Sequence, residues 1–131
     1  MHTKMYIDIE KRLKSLGFFE FDINLGLIYY IVDKVKNSVK NKCNIGEIPN
    51  ELHHIVVDMI CGEFLLLKKN SGQLKNFDVE AAVKQVQEGD TSVTFAIGDG
   101  SLTPEQRLDR LISFLMTNGS DQFVTFRRLK W

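Results

Sequence analysis

The pair His53-His54, followed by Asp58, is the arrangement in this sequence closest to a metal or acid–base site. On a helix His54 and Asp58 share one face, so a single ion could bridge them. Two ligands are too few for a metal centre, and no His-Glu-x-x-His pattern adds a third. We therefore expect a solvated or capping role here, with no metal and no catalytic residue, and the chain is not expected to be an enzyme.

The two cysteines are a second place to look for chemistry. Cys43 and Cys61 form no Cys-x-x-Cys pair, and they are too few for a disulfide framework, which fits a reducing compartment. Cys61 falls in an apolar stripe and is expected in the core, whereas Cys43 is expected in a loop.

The run at 98–101 (GDGS) lacks the Lys-Ser/Thr of a phosphate loop and the spaced carboxylates of a calcium loop. It predicts a turn, and no cofactor is expected.

Four lysines cluster near residue 40, and they suggest a different chemistry, the binding of nucleic acid. Cations near the end of a helix are favoured by its dipole, and spaced basic residues are usually a solvated helix face. The chain has 17 basic and 17 acidic residues and a net charge of zero, whereas a general nucleic-acid binder is usually basic. A small nucleic-acid-binding protein is kept as the alternative function, carried by Lys34, Lys36, Lys40 and Lys42.

Length and composition indicate what kind of protein carries these candidate residues. The chain has 131 residues, of which 44% are hydrophobic and 26% are charged, as in ordinary globular proteins. This predicts a single domain over residues 1–131. There is no run of about 18 apolar residues, so no membrane span is expected. The charged N-terminal region does not have the pattern of a signal peptide, and synthesis in the cytoplasm is expected.

Apolar periodicity predicts a mainly α protein, a small four-helix bundle. In the first helix, Gly17 is expected to adopt a left-handed conformation so that Phe18 folds back. Asp22 is expected to cap the second helix, in which Tyr30 widens the core stripe. The third helix is apolar on two sides and should lie in the middle, and Thr103 opens a capping box for the fourth. The predicted helices span residues 3–16, 22–41, 49–69 and 103–118.

A protruding β-hairpin is predicted over residues 82–97. Residues 92–97 alternate polar or small with apolar side chains, as a half-buried strand does. Gly89 and Asp90 suit a two-residue turn, which makes residues 82–88 the partner strand. The alternation in that partner is weak, and a short helix over residues 79–86 is the competing interpretation. A lone hairpin needs a cover for Val93, Phe95 and Ile97, from the helices or from a neighbouring subunit.

The extended C-terminal tail, residues 119–131, ends in FRRLKW. A free terminus is usually polar, but this one carries apolar residues, the single Trp and two Arg. Trp and Arg are typical anchors of protein interfaces. Two interpretations remain open: the tail packs on its own domain, or it binds a protein partner.

The order of several motifs resembles that of the head–tail connector (head-completion adaptor) proteins of long-tailed bacteriophages, most closely those of phages and prophages of clostridium-like hosts. The likeness covers about residues 48–131, through IPNELHHIVVDMICGEFL, EGDTSVTF, LTPEQRLDRLISFL and FRRLKW. The residues that match the family pattern are Pro49, Glu51, Leu52, Gly62, Glu63, Phe64, Leu65, Gly89, Asp90, Ser92 and Val93.

The resemblance implies a structural virion protein at the neck of the particle, made in the host cytoplasm. Members form a ring, commonly of twelve copies, between the capsid portal and the next connector or the tail terminator. Genomic DNA passes through the channel without sequence-specific binding. Another role in phage tail assembly is the alternative. By resemblance, the portal-binding residues are Phe126, Arg127, Arg128, Leu129 and Trp131, and the subunit-interface residues are Val93, Phe95, Ile97, Gly89 and Asp90.

Overall fold

Helices make up nearly all of the regular structure in the computed structural model of the chain. The structure describes residues 2–74, 77–89, 102–117, 119 and 122–123. Short 3₁₀ turns, Asp22–Asn24 and Asn50–Leu52, precede the second and third helices. The mainly α class is confirmed. The helices of the described part are α1 (His2–Ser15), α2 (Leu25–Cys43), α3 (His53–Asn70), α4 (Val79–Gly89) and α5 (Pro104–Thr117).

The end of α1 has the conformation that the sequence predicts. Gly17 has a φ of 95°, a left-handed conformation that costs a glycine little. The N–H of Phe18 then donates to the carbonyl of Leu13 at 2.9 Å, which closes the helix end. The Phe18 ring turns inward and packs edge-on against Phe64, with 5.0 Å between the ring centroids. The prediction that Phe18 folds back is confirmed.

Helix α3 is the centre of the protein, as its two apolar stripes predict. It packs against α1, α2 and α5. On one side Val56, Ile60 and Phe64 are fully buried, and on the other Cys61 and Leu65 are fully buried as well. Burial of a side chain of this size contributes roughly 1.5–3 kcal/mol, so this helix carries much of the core.

Small residues let α3 and α5 approach closely. The two helices are antiparallel, since Lys69 near the end of α3 pairs with Asp109 early in α5. At Gly62 an added Cβ atom would lie 2.7 Å from Cγ of Met116 and 3.1 Å from Cβ of Leu115. A larger residue at position 62 would therefore force the helices apart.

The predicted β-hairpin is wrong in its first strand. Residues 82–88 belong to α4, and the part of the chain that the structure describes contains no strand. Ala82, Val83 and Val86 are buried at helical spacing. The carboxylate of Asp78 accepts the N–H of Ala81 at 3.0 Å and caps the helix. The competing helical interpretation was the right one, so α4 is a fifth helix, and residues 90–97 lie outside the described residues.

The predicted N-terminal cap is present in α5 and absent from α2. In α5 the N–H of Gln106 donates to the Thr103 hydroxyl at 3.2 Å, and Gln106 accepts the N–H of Thr103 at 3.0 Å. This is the predicted capping box. The predicted cap of α2 is wrong: Asp22 begins the 3₁₀ turn, and α2 starts three residues later without a side-chain cap.

No helix among the described residues combines the length and the apolar character needed to cross a bilayer.

Candidate functional site

The residues that the resemblance assigns to interfaces lie mostly outside the described residues. Of the proposed subunit-interface residues, only Gly89 is described, as the last residue of α4. Asp90, Val93, Phe95 and Ile97 lie outside, and so do the proposed portal-binding residues Phe126, Arg127, Arg128, Leu129 and Trp131. Their roles therefore stay predictions.

The histidine and aspartate pattern resolves into two pairs that join α1 to α3. Nε2 of His53 lies 2.6 Å from Oδ2 of Asp8, and Nε of Arg12 lies 2.9 Å from Oδ1 of Asp58. A carboxylate only accepts hydrogen bonds, so His53 and Arg12 are the donors. The bond from His53 is the main reason that the pKa of Asp8 lies below its ordinary value of 3.8.

Because these side chains are paired with each other, they are not arranged as a set of metal ligands. Asp58 pairs with Arg12, and the ring of His54 stands edge-on to that of His53, with 5.4 Å between the ring centroids. Within the described residues there is no group of three His, Cys, Asp or Glu side chains able to hold a metal ion. The pairs hold two parallel helices in register, which is a structural role.

Both cysteine thiols are buried. Cys61 is in the core, as predicted, with its Sγ 3.9 Å from the carbonyl oxygen of Ile9. Burial raises the pKa of the Cys61 thiol far above its ordinary value, so this thiol is a poor nucleophile. Cys43 was expected in a loop; it is instead the last residue of α2, and its Sγ donates to the carbonyl of Phe123 at 3.7 Å.

The lysine cluster is not a row of free cations. Nζ of Lys34 binds Oε1 of Glu63 at 2.7 Å, and this bond raises the pKa of Lys34. Nζ of Lys42 lies 5.9 Å from the centre of the Phe123 ring. Lys36 and Lys40 are half-buried. Lys34 and Lys42 therefore each have a partner within the fold.

Exposed apolar side chains are the feature that sequence reasoning missed. They come from the connection between α1 and α2 and from the first turns of α2. We call them the exposed apolar residues: Phe19, 71% exposed, Ile23, 81%, Tyr29, 51%, and Tyr30, 63%.

Tyr30 corrects an expectation, since its spacing placed it in the core stripe. The neighbouring Tyr29 packs edge-on against Tyr6, with 4.9 Å between the ring centroids, and burial together with Asp33 raises the pKa of Tyr6.

The one signal in the sequence that could have predicted an exposed apolar residue was the adjacency of Phe18 and Phe19, because only one of two neighbouring rings can fold back onto the helix. The other ring, Phe19, stays exposed.

An open depression of about 320 Å³ lies beside Phe19. We call it the Phe19 groove, and it is lined by residues 17–20, 72–74 and Phe77. Gly17 and Gly72 are the left-handed residues that end α1 and α3, so the groove lies where these two parallel helices end.

Comparison with known protein families, with characterised proteins and with solved structures gives no match.

Proposed function

We propose that this chain is a structural virion protein, a subunit of a ring that joins the capsid portal to the tail and lets DNA pass. The observation that carries the proposal is the exposure of large apolar side chains on a helical body, with Phe19 and Ile23 more than two-thirds exposed. Contiguous exposed apolar patches mark sites where another protein binds, and these side chains are the candidates for such a patch. The polar clusters that suggested chemistry are occupied by pairing between helices, which favours an assembly subunit over an enzyme.

The motif residues support the same proposal, because their roles in α3 are structural. Leu52 is fully buried where the chain enters α3. Gly62 makes the close approach to α5, Glu63 binds Lys34, and Phe64 and Leu65 are core residues. Residues with these roles shape a helical scaffold, which supports the resemblance to connector proteins.

In the proposed ring, the tail engages the portal. Phe126, Leu129 and Trp131 are covered by the portal, and Arg127 and Arg128 pair with its carboxylates. Arginine suits this role because its planar fork binds a carboxylate through two hydrogen bonds.

Contacts between neighbouring copies complete the ring. Val93, Phe95 and Ile97, with Gly89 and Asp90, contact the next subunit. A closed ring needs a heterologous interface, in which one patch meets a different patch of the neighbour. The resemblance implies twelve copies. A net charge of zero suits a channel that must let DNA slide without holding its phosphates.

The test is to mix the purified chain with the portal protein of the same phage genome and to image the mixture by electron microscopy. We expect an added ring of density at the narrow end of the portal. A chain ending at residue 125 should keep its helical circular dichroism and lose the ring. Absence of added density with the folded full chain would overturn the proposal, and so would unfolding of the shortened chain, since the tail would then be part of the core.

A further inference from the structure

Helix α4 has a narrow attachment to the rest of the described structure. Of the described helices it packs on α5, and its contacts with the others are marginal. Its buried stripe is formed by small side chains, Ala82, Val83 and Val86. Helix α3, by contrast, buries large side chains on two sides. Because hydrophobic stabilisation scales with the apolar area removed from water, α4 is held less firmly than α3.

The polar face of α4, opposite this stripe, borders an open depression of about 370 Å³. The facing wall of the depression is formed by residues 14–17, at the end of α1, and by Phe19. Because this space is open, the polar face of α4 is not packed against α1 there. The wall on α4 consists of four exposed residues that share one helical face: Ala81, Lys84, Gln85 and Glu88.

A buried charge lies where α4 meets α5. The side chain of Arg107, near the start of α5, is only 8% exposed, and its Nε lies 3.0 Å from Oε1 of Glu80 in the first turn of α4. Within the described residues this Nε has no hydrogen-bond partner, so its N–H is not aimed at the Glu80 oxygen. The contact is therefore an ion pair with poor geometry. Its acidic member is 65% exposed.

Such a pair fixes α4 only weakly. Removing a guanidinium from water is costly, and an ion pair repays this cost only when its hydrogen bonds are well formed. Detachment of α4 would return Arg107 to water. Helix α4 has 11 residues, and isolated helices shorter than roughly 12–15 residues are marginal in water, so α4 unfolds when it leaves α5.

We propose that α4 is a strap that opens while α1, α2, α3 and α5 stay folded, and that the ion pair between Arg107 and Glu80 sets how often it opens. Opening uncovers the apolar stripe of α4 and the surface of α5 beneath it. This is a conformational property of the fold. It goes beyond the proposed function and does not rest on it, because it holds for the chain without a portal.

The test is native-state hydrogen exchange of the full chain, read by mass spectrometry on peptides from α3, α4 and α5. Local opening predicts that amides of α4 exchange at least about tenfold faster than the slowest amides of α3. It also predicts that urea accelerates exchange in α4 less steeply than in α3, because local opening exposes less surface than global unfolding. Equal rates and equal urea dependence in the two helices would overturn the proposal.

Two carboxylates of α4 provide a matched pair of variants. Glu80→Gln leaves Arg107 buried without its carboxylate and should accelerate exchange in α4 by about tenfold. Glu88→Gln makes the same chemical change on the exposed face of the same helix, and it should leave the rate nearly unchanged. If both variants accelerated exchange in α4 equally, the role of the ion pair would be refuted.

Arg107→Met separates the ion pair from the interaction of Glu80 with the helix dipole. It removes the buried charge and keeps much of the side-chain volume, so we expect slower exchange in α4 than in the wild type. In the Arg107→Met background, Glu80→Gln should lose most of its effect, since the partner that it strands is gone. Faster exchange in Arg107→Met, or a full effect of Glu80→Gln in that background, would contradict the proposal.

Discussion

Replacing Gly62 with alanine tests the close approach of α3 and α5. The new Cβ would lie 2.7 Å from Cγ of Met116, 3.1 Å from Cβ of Leu115 and 3.2 Å from the carbonyl oxygen of Ile112. The Met116 side chain can swing away at little cost. The other two atoms are fixed to the backbone of α5, so the helices must separate by a few tenths of an ångström.

Two opposing effects decide the size of the change. Overpacking of a well-packed core costs typically about 1–3 kcal/mol, and we take about 2 here because one of the three contacts is flexible. Alanine favours the helix over glycine by about 1 kcal/mol. The net expectation for Gly62→Ala is a free energy of unfolding lower by about 1 kcal/mol, which for a chain of this size lowers Tm by about 4 °C.

Gly26 provides the matched control. It lies in α2, and an added Cβ there meets nothing within 4 Å. Gly26 is the second residue of the helix, so Gly26→Ala should raise the free energy of unfolding by less than the roughly 1 kcal/mol that helix propensity gives in a helix interior. Urea denaturation followed by circular dichroism should give unchanged m-values and midpoints that move in opposite directions. If Gly62→Ala were as stabilising as Gly26→Ala, the close packing of α3 on α5 would be refuted.

Three further predictions follow from the polar and buried groups. Because its bond with His53 lowers the pKa of Asp8 from 3.8, the pair stabilises the fold above that pH and loses its effect as the pH falls below it. Asp8→Asn should therefore flatten the loss of stability in acid denaturation curves, and an unchanged acid limb would contradict the pairing. The thiols of Cys43 and Cys61 should resist Ellman's reagent in native buffer and react in urea, whereas fast labelling of the native protein would show that they are accessible. Thr103→Ala should lower the free energy of unfolding by about 1 kcal/mol in urea titration, with Thr103→Ser close to wild type, and equal losses in both would argue against the hydroxyl cap.

Local signals in the sequence predicted the local features of the fold. Gly17 before Phe18 predicted how α1 ends, and Thr103 with Gln106 predicted how α5 begins, because each depends on atoms within a few residues. The central position of α3 was also predictable, since a helix apolar on two sides needs partners on both.

Features set by distant parts of the chain were not predictable. Over residues 82–88 the apolar positions fit a weak alternation and a helical stripe almost equally, and packing against α5 decides for the helix. Asp8 and His53 are 45 residues apart, so no local spacing reveals their bond. Tyr30 fits a core stripe by spacing, but none of the described elements covers it there. The Phe19 groove depends on where α1 and α3 end relative to each other, which is likewise a tertiary property.

The central place of α3 has a consequence for synthesis on the ribosome. Among the described elements, α1 and α2 pack mainly on α3 and little on each other. The first two helices therefore emerge with their apolar stripes uncovered and without the surface that later buries them. Translation from residue 44 to residue 70 takes roughly 1–5 s at 5–20 residues per second. During that interval the nascent chain is open to chaperones and to aggregation, and stable folding waits for α3 and then α5 to leave the exit tunnel.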